Sequence, residues 1–145
     1  MKPTNLREQL DIDEDDVLTA YPDPVTHGEP WTIGRGHTGG IQPGTVWTQE
    51  QSDIAFGIDI NTAVTEVKKA LPWVTSLNDA RQSVLYGMCY QMGLNRLLTF
   101  RKALAAAKLG LWATARAELE DSDWMKETPN RCKLRAEQME TGEYQ

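Results

Sequence analysis

Three residues near the start of the chain carry the chemistry that stands out. Glu14 precedes Asp23 by nine positions, and Thr32 follows nine later in the segment Trp31-Thr32-Ile33-Gly34-Arg35-Gly36-His37. A carboxylic acid, a second carboxylate and a hydroxyl suit acetal hydrolysis. One acid protonates the leaving oxygen, while the other carboxylate and the hydroxyl orient a water on the opposite face. Spacing alone leaves a second reading open, because acidic residues near turns commonly solvate a surface. Glu14 is flanked by Asp13, Asp15 and Asp16. Like charges raise a carboxyl pKa, so these neighbours are expected to help Glu14 keep its proton, and neutralising all three should shift the pH limb set by that acid downward.

Other candidates are weaker. His27 and His37 lie ten residues apart with no third ligand at a recognisable spacing, so no metal site is expected. Gly34-Arg35-Gly36 has the spacing of a phosphate-cradling loop, but a bare G-x-G carries little information. Of five tryptophans, Trp31 and Trp124 are the candidates for sugar stacking, and Trp47, Trp73 and Trp112 for internal packing.

The elements that must position these residues follow from patterning. Leu6, Leu10 and Ile12 predict a short amphipathic helix. Residues 17–47 are dense in Gly and Pro, with β-prone pieces at Val17–Tyr21 and Trp31–Ile33, and predict a small, turn-rich β lobe. Thr48 with Gln51 fits a capping box. Ile54, Ile58, Val64, Val67 and Leu71 then predict a long helix that Pro72 stops. Further helices are expected from Asn78 to Met92, ended by Gly93, from Arg101 to Lys108, around Trp112 to Leu119, and from Pro129 to about Gly142. The expected architecture is α+β and a single domain over 1–145. A β-rich lobe (13–47) joins through a linking helix (48–72) to a larger helical lobe (73–145), on which residues 1–12 pack. A cleft between two such lobes is a natural ligand site.

Composition narrows the class. The chain has 145 residues, 40% of them hydrophobic, enough for a core, and a net charge of −6. Residues 1–60 hold three basic residues against eleven acids, which disfavours nucleic acid as a partner. No apolar run has the length of a membrane span, so membrane insertion is not expected. The N-terminal residues have no apolar core of a secretory signal. Cys89 and Cys132 are too few for a disulfide scaffold and read as two buried free thiols, with a bridge between them left open.

The stretch Glu14–His37, EDDVLTAYPDPVTHGEPWTIGRGH, resembles the signature of the phage-type lysozymes, glycoside hydrolase family 24, in character nearest its T-even branch. Similarity continues through Asp59–Val64, Leu77–Arg81, Tyr90–Gly93, Ser122–Trp124, Thr128–Arg131 and Thr141–Gly142. The resemblance implies a lysozyme-like fold and a muramidase cutting the β-1,4 bond between N-acetylmuramic acid and N-acetylglucosamine. Glu14 is then the general acid, and Asp23 and Thr32 place the water. That route inverts the anomeric carbon across carboxyl groups roughly 6.5–9.5 Å apart. A lytic transglycosylase, or a wall-binding or virion module without activity, is the alternative. The resemblance further implies that Arg131 pairs with Glu14, that His37 pairs with Asp59, and that Gln91 and Trp124 line the cleft. It implies no cofactor, bacterial peptidoglycan as partner, and a monomer. Delivery is expected from the host cytoplasm through a holin-type pore, or on a virion as the lytic part of a larger tail protein. Two departures are visible. Asp15 stands where the family often has Gly after the catalytic Glu. The stretch between Asp23 and Thr32, which includes His27, is about three residues longer than in the T-even branch, and His27 reads as a surface loop residue there.

Overall fold

The computed structural model describes residues 1–145 as eight helices, a 3₁₀ turn and a two-stranded antiparallel sheet, an α+β arrangement. In chain order these are α1 (Leu6–Asp13), β1 (Val17–Tyr21), β2 (Thr32–Gly34), α2 (Gln49–Ala70), the 3₁₀ turn (Pro72–Ser76), α3 (Asp79–Met92), α4 (Leu94–Leu97), α5 (Arg101–Lys108), α6 (Trp112–Glu120), α7 (Asp123–Glu127) and α8 (Pro129–Thr141). No helix is long and apolar enough to cross a membrane.

Asn5 caps α1, its side chain accepting the Glu8 N–H at 2.9 Å. Gln9 and Leu10 of this helix are buried. Ile12, expected on the same face, is 62% exposed. Two residues along a helix is a rotation of about 200°, so a residue at that offset from Leu10 points the opposite way.

In the sheet, Val17 lies opposite Gly34 and Tyr21 opposite Thr32, with an irregularity between them. The chain returns along the other edge of β1, where Ala20 N–H donates to Thr45 O at 2.9 Å and Trp47 N–H to Leu18 O at 2.8 Å. Thr48 then opens α2 with both halves of the capping box, which fixes where the hairpin ends and the helix begins.

The C-terminal half of α2 buries the expected face, with Val67 in the core and Val64 and Leu71 packed against it, but the N-terminal half does not. Ser52, Phe56, Ala63 and Val67 face inward, whereas Ile54 and Ile58 are 57% and 60% exposed. Polar partners rotate the helix. Ser52 Oγ donates to Asp16 at 2.6 Å, and the Phe56 ring lies between the guanidiniums of Arg7 and Arg35, 4.9 and 4.4 Å from its centroid.

The main core surrounds α3, whose residues from Ser83 to Cys89 are all buried, together with Leu97, Leu104, Ala107, Ala115, Leu119 and Met139. Cys89 and Cys132 are buried free thiols. Burial first, then Glu66 beside the one and Glu120 beside the other, pushes both up to about 11. Gly142 ends α8 in the left-handed conformation (φ 73°). A Cβ there would meet the Arg81 guanidinium and the Asn78 amide at 2.9 Å. Arg81 uses that space to close α8, donating to Met139 O at 2.8 Å and Glu140 O at 2.7 Å.

Candidate active site

Glu14 is the residue that ends α1. Its N–H still bonds Leu10 O at 2.9 Å, but its backbone has turned extended (φ −111°, ψ 136°), which aims the chain into β1. Arg131, in the first turn of α8 and 117 positions along the chain, fixes this corner. Its Nη1 donates to Glu14 Oε1 at 3.0 Å and its Nη2 donates to the Asp13 carbonyl. The side chains of Glu14 and Arg131 are only 18% and 21% exposed. No residue at this corner needs a left-handed backbone, so Asp15 is accommodated without the freedom of a glycine.

Burial pushes the Glu14 carboxyl above the ordinary carboxylate range. The Arg131 charge and hydrogen bond pull it back, and Asp13 and Asp15 add to the rise. Asp16 does not share in this. It faces Gln49 (2.7 Å), Ser52 (2.6 Å) and Arg35 (3.6 Å). Burial raises the Asp16 carboxyl, but these hydrogen bonds and the Arg35 charge outweigh it and hold it low. Of the three aspartates grouped by sequence, Asp13 and Asp15 are the ones that add to the rise at Glu14.

Tyr21, at the far end of β1, is also raised by burial and then by Glu14 and Asp15. A Cβ on Gly36 (φ 78°) would lie 3.9 Å from Glu14 Oε2, so this glycine brings the turn after β2 against the acid. Asp23 lies two residues beyond β1. Its Oδ1 accepts the N–H groups of Val25 (2.8 Å) and Thr26 (3.0 Å), the pattern of an Asx turn, and Oδ2 has no protein partner. The longer turn closes on itself: His27 N–H donates to Asp23 O at 2.8 Å and Asp23 N–H to Gly28 O at 2.9 Å, with exposed His27 in the left-handed region (φ 59°). The extra length is taken up before the ladder resumes, so Thr32 opens β2 directly opposite Tyr21. Its half-buried hydroxyl has one long contact, 3.4 Å to Pro30 O.

Residues 14–136 match the sequence model of the family described as Phage lysozyme. The chain belongs to the phage lysozyme family. It is 31% identical over 98 residues to "Probable T4-type lysozyme 1" of Dictyostelium discoideum, covering 66% of this chain and 58% of that one. It is 31% identical over 103 residues to "Pre-baseplate central spike protein Gp5" of Enterobacteria phage T4, covering 69% of this chain and 17% of Gp5. It is 29% identical over 116 residues to "Peptidoglycan hydrolase gp36" of Pseudomonas phage phiKMV, covering 78% of this chain and 12% of gp36. The chain therefore spans little more than half of that Dictyostelium lysozyme and a small part of the two phage proteins.

In this member of the phage lysozyme family, His37 Nδ1 lies 2.7 Å from Asp59 Oδ2, tying the turn after β2 to α2. The two line a cavity of about 220 Å³ together with Glu66, Cys89 and Tyr90. Trp47 tilts against the His37 ring at 5.3 Å. Gln91 is half-buried and bridges Trp124 Nε1–H (3.1 Å) and Thr128 Oγ1 (3.3 Å). Trp124, expected in the cleft, is 1% exposed and packs edge-on to Phe100 at 6.3 Å. It offers no face to a ligand and acts only by holding Gln91. Thr128 likewise gives no capping bond to α8 and presents its hydroxyl to Gln91 instead.

Two features were not found from sequence. Arg35 is the hub of the joint between hairpin and helices. It reaches Asp11 (2.9 Å), Asp53 (2.9 Å) and Asp16 (3.6 Å), and its carbonyl accepts the Tyr90 hydroxyl. The available signal was its rarity, as one of three cations among eleven acids in residues 1–60. The second is a buried polar chain behind Asp13. Arg135, 3% exposed, lies 3.8 Å from Asp13 and donates to Gln138 at 2.9 Å, and Gln138 donates to Gln9 at 2.8 Å. Burial raises Asp13, while Arg135 and Arg131 oppose the rise.

Proposed function

We propose that this protein is a muramidase. It hydrolyses the β-1,4 bond between N-acetylmuramic acid and N-acetylglucosamine in peptidoglycan, working as one domain over 1–145 whose β-rich and helical lobes face each other across a cleft. The observation that carries this is Glu14: a largely buried acid with raised proton affinity, held by Arg131 at 3.0 Å, in a chain of the phage lysozyme family. The name of gp36 supports peptidoglycan as the substrate.

Glu14 delivers its proton to the glycosidic oxygen. Arg131 fixes the carboxyl through Oε1, which leaves Oε2 as the oxygen that meets the substrate. Asp23 is anchored through one oxygen by the N–H groups of its own turn, so the other is free to orient a water. The Thr32 hydroxyl, opposite Tyr21 in the ladder, takes a second position on that water. Gln91 and Trp31 contact the glycan, and Trp124, His37 and Asp59 hold the frame. Because water attacks from the face opposite the leaving group, the β bond yields an α product. Proton NMR during digestion of a defined glycan is expected to show the α anomer first. A β anomer as first product overturns the water-placing roles of Asp23 and Thr32.

The acid must be protonated to work, so the alkaline limb of activity follows the proton affinity of Glu14. Asp13 and Asp15 raise that affinity. Neutralising both, as Asp13→Asn with Asp15→Asn, is expected to move the alkaline limb to lower pH. Asp16→Asn is expected to leave the limb in place. A pH profile of turbidity clearing separates the two variants.

The Gp5 similarity supports a route to the wall on the virion, as the lytic part of a larger protein. Release from the host cytoplasm through a holin-type pore is the other route. Expression with and without a holin, with lysis as readout, distinguishes them.

A further inference from the structure

Gly36 reaches the acid, and its two neighbours in the chain are tied to different helices. A Cβ on Gly36 would stand 3.9 Å from Glu14 Oε2, the oxygen assigned to the substrate. On one side, His37 Nδ1 meets Asp59 of α2 at 2.7 Å. On the other, the Arg35 carbonyl accepts the hydroxyl of Tyr90 from α3. A pair of hydrogen bonds between Ile33 and His37, at 3.0 and 2.9 Å, closes the turn at its base. Where Gly36 sits therefore follows from where α2 and α3 hold its flanks.

The Tyr90 tie rests on one hydroxyl. The Arg35 carbonyl has no other protein partner, and the Tyr90 hydroxyl makes no other bond. The ring is held separately, edge-on to Phe56 at 6.0 Å, and Phe56 itself carries the Arg35 guanidinium at 4.4 Å. Tyr90 and Gly36 line one cavity with His37, Asp59, Glu66 and Cys89. Burial, then the charges of Asp59 and Glu14, push the phenol up, and the Arg35 charge opposes them. The hydroxyl thus keeps its proton, and stays a donor, wherever Glu14 can work.

We propose that Tyr90 is a positioning residue for the reaction: by holding the Arg35 carbonyl from α3, it keeps Gly36 packed on Glu14 and water away from the acid. Tyr90 does not touch the reacting atoms. It acts through the turn, which rests on the reading of Glu14 as the general acid. Phe at this position keeps the ring against Phe56 but leaves the carbonyl without a donor, and the turn shifts outward to reach water. Glu14 is then better solvated, so its raised proton affinity falls toward the ordinary carboxylate range. Arg131, Asp13 and Asp15, the other groups that set this affinity, stay as they are, because none of them hydrogen-bonds the turn. A small displacement of a catalytic group costs rate more than binding.

The test compares the unmodified protein with Tyr90→Phe on soluble, uncrosslinked peptidoglycan. Tyr90→Phe is expected to lower kcat about tenfold, to leave KM within about twofold, and to move the alkaline limb to lower pH. Carbon-13 NMR of labelled glutamate side chains reads Glu14 directly, with Glu14→Gln identifying its signal, and the Glu14 titration midpoint is expected to fall in Tyr90→Phe. Placing 4-aminophenylalanine at position 90, which keeps a donor at the ring tip, is expected to restore both kcat and midpoint. A Tyr90→Phe protein that melts earlier but keeps the parent kcat and midpoint overturns the proposal, as does a fall in kcat with an unmoved midpoint. A Tyr90→Phe protein that does not fold overturns it too, because the hydroxyl then holds the fold and not the acid. Failure of the unmodified protein to cut peptidoglycan overturns the muramidase reading instead, and the Glu14 midpoint then decides the role of Tyr90 by itself.

Discussion

Glu14→Gln is expected to abolish turbidity clearing of permeabilised cells, with a loss of about 10²–10⁴-fold, the range that general acid catalysis contributes. The amide keeps the shape of the carboxyl and can still accept from Arg131, but it has no proton to give the leaving oxygen. The variant should also be more stable than the parent at neutral pH. Burial raises the proton affinity of Glu14 in the fold above its unfolded value. Such a group contributes fully to stability below the ordinary carboxylate range, and the contribution is lost as pH rises through the raised value. At neutral pH the folded protein thus carries a charge it holds unfavourably, and Gln removes it. Thermal melts at acidic and neutral pH check this: the gain should appear at neutral pH and vanish below the carboxylate range. An inactive variant that is also less stable at neutral pH would indicate a misfolded corner instead of a missing proton.

Arg35→Met is expected to destabilise the protein by about 2–3 kcal/mol. The side chain is 9% exposed and lies among Asp11, Asp53 and Asp16, whose side chains are 57%, 46% and 23% exposed. Water screens the two more open partners, which keeps the loss below that of a fully buried pair. Three carboxylates that lose this shared cation repel one another across the joint, with Arg7 left beside Asp53 alone, and Phe56 loses the guanidinium 4.4 Å from its centroid. Urea denaturation measures the loss. Because the clustered acids then favour protonation, the deficit should shrink toward acidic pH. A Met variant as stable as the parent at neutral pH would mean that Arg35 does not hold hairpin to helix.

Much of the fold was legible in the sequence because its signals are local. The Thr48–Gln51 capping box, Pro72, Gly93 and Gly142 each mark a boundary through their own backbone chemistry, and the structure has boundaries at each. Facing was less legible, because it depends on distant partners. Ile54 and Ile58 are more hydrophobic than Ser52, yet Ser52 points inward because Asp16 and Arg35 meet it there. Trp124 shows the same limit: its large ring is as good a core residue as a sugar platform, and only packing against Phe100 decides. At the candidate site, the types and order of Glu14, Asp23 and Thr32 were readable. The raised affinity of Glu14 was half readable. Its acidic neighbours are visible in sequence, but burial is the larger cause, and Asp16 proved to be engaged elsewhere. Nothing local announced the chain of Asp13, Arg135, Gln138 and Gln9, which joins residues more than a hundred positions apart.

The most direct test of the account is mass spectrometry of peptidoglycan digested by the parent protein and by Glu14→Gln. Fragments ending in reducing N-acetylmuramic acid with the parent, and none with Glu14→Gln, are the predicted result. Anhydro-muramyl ends, or the same reducing fragments from the Gln variant, would contradict it.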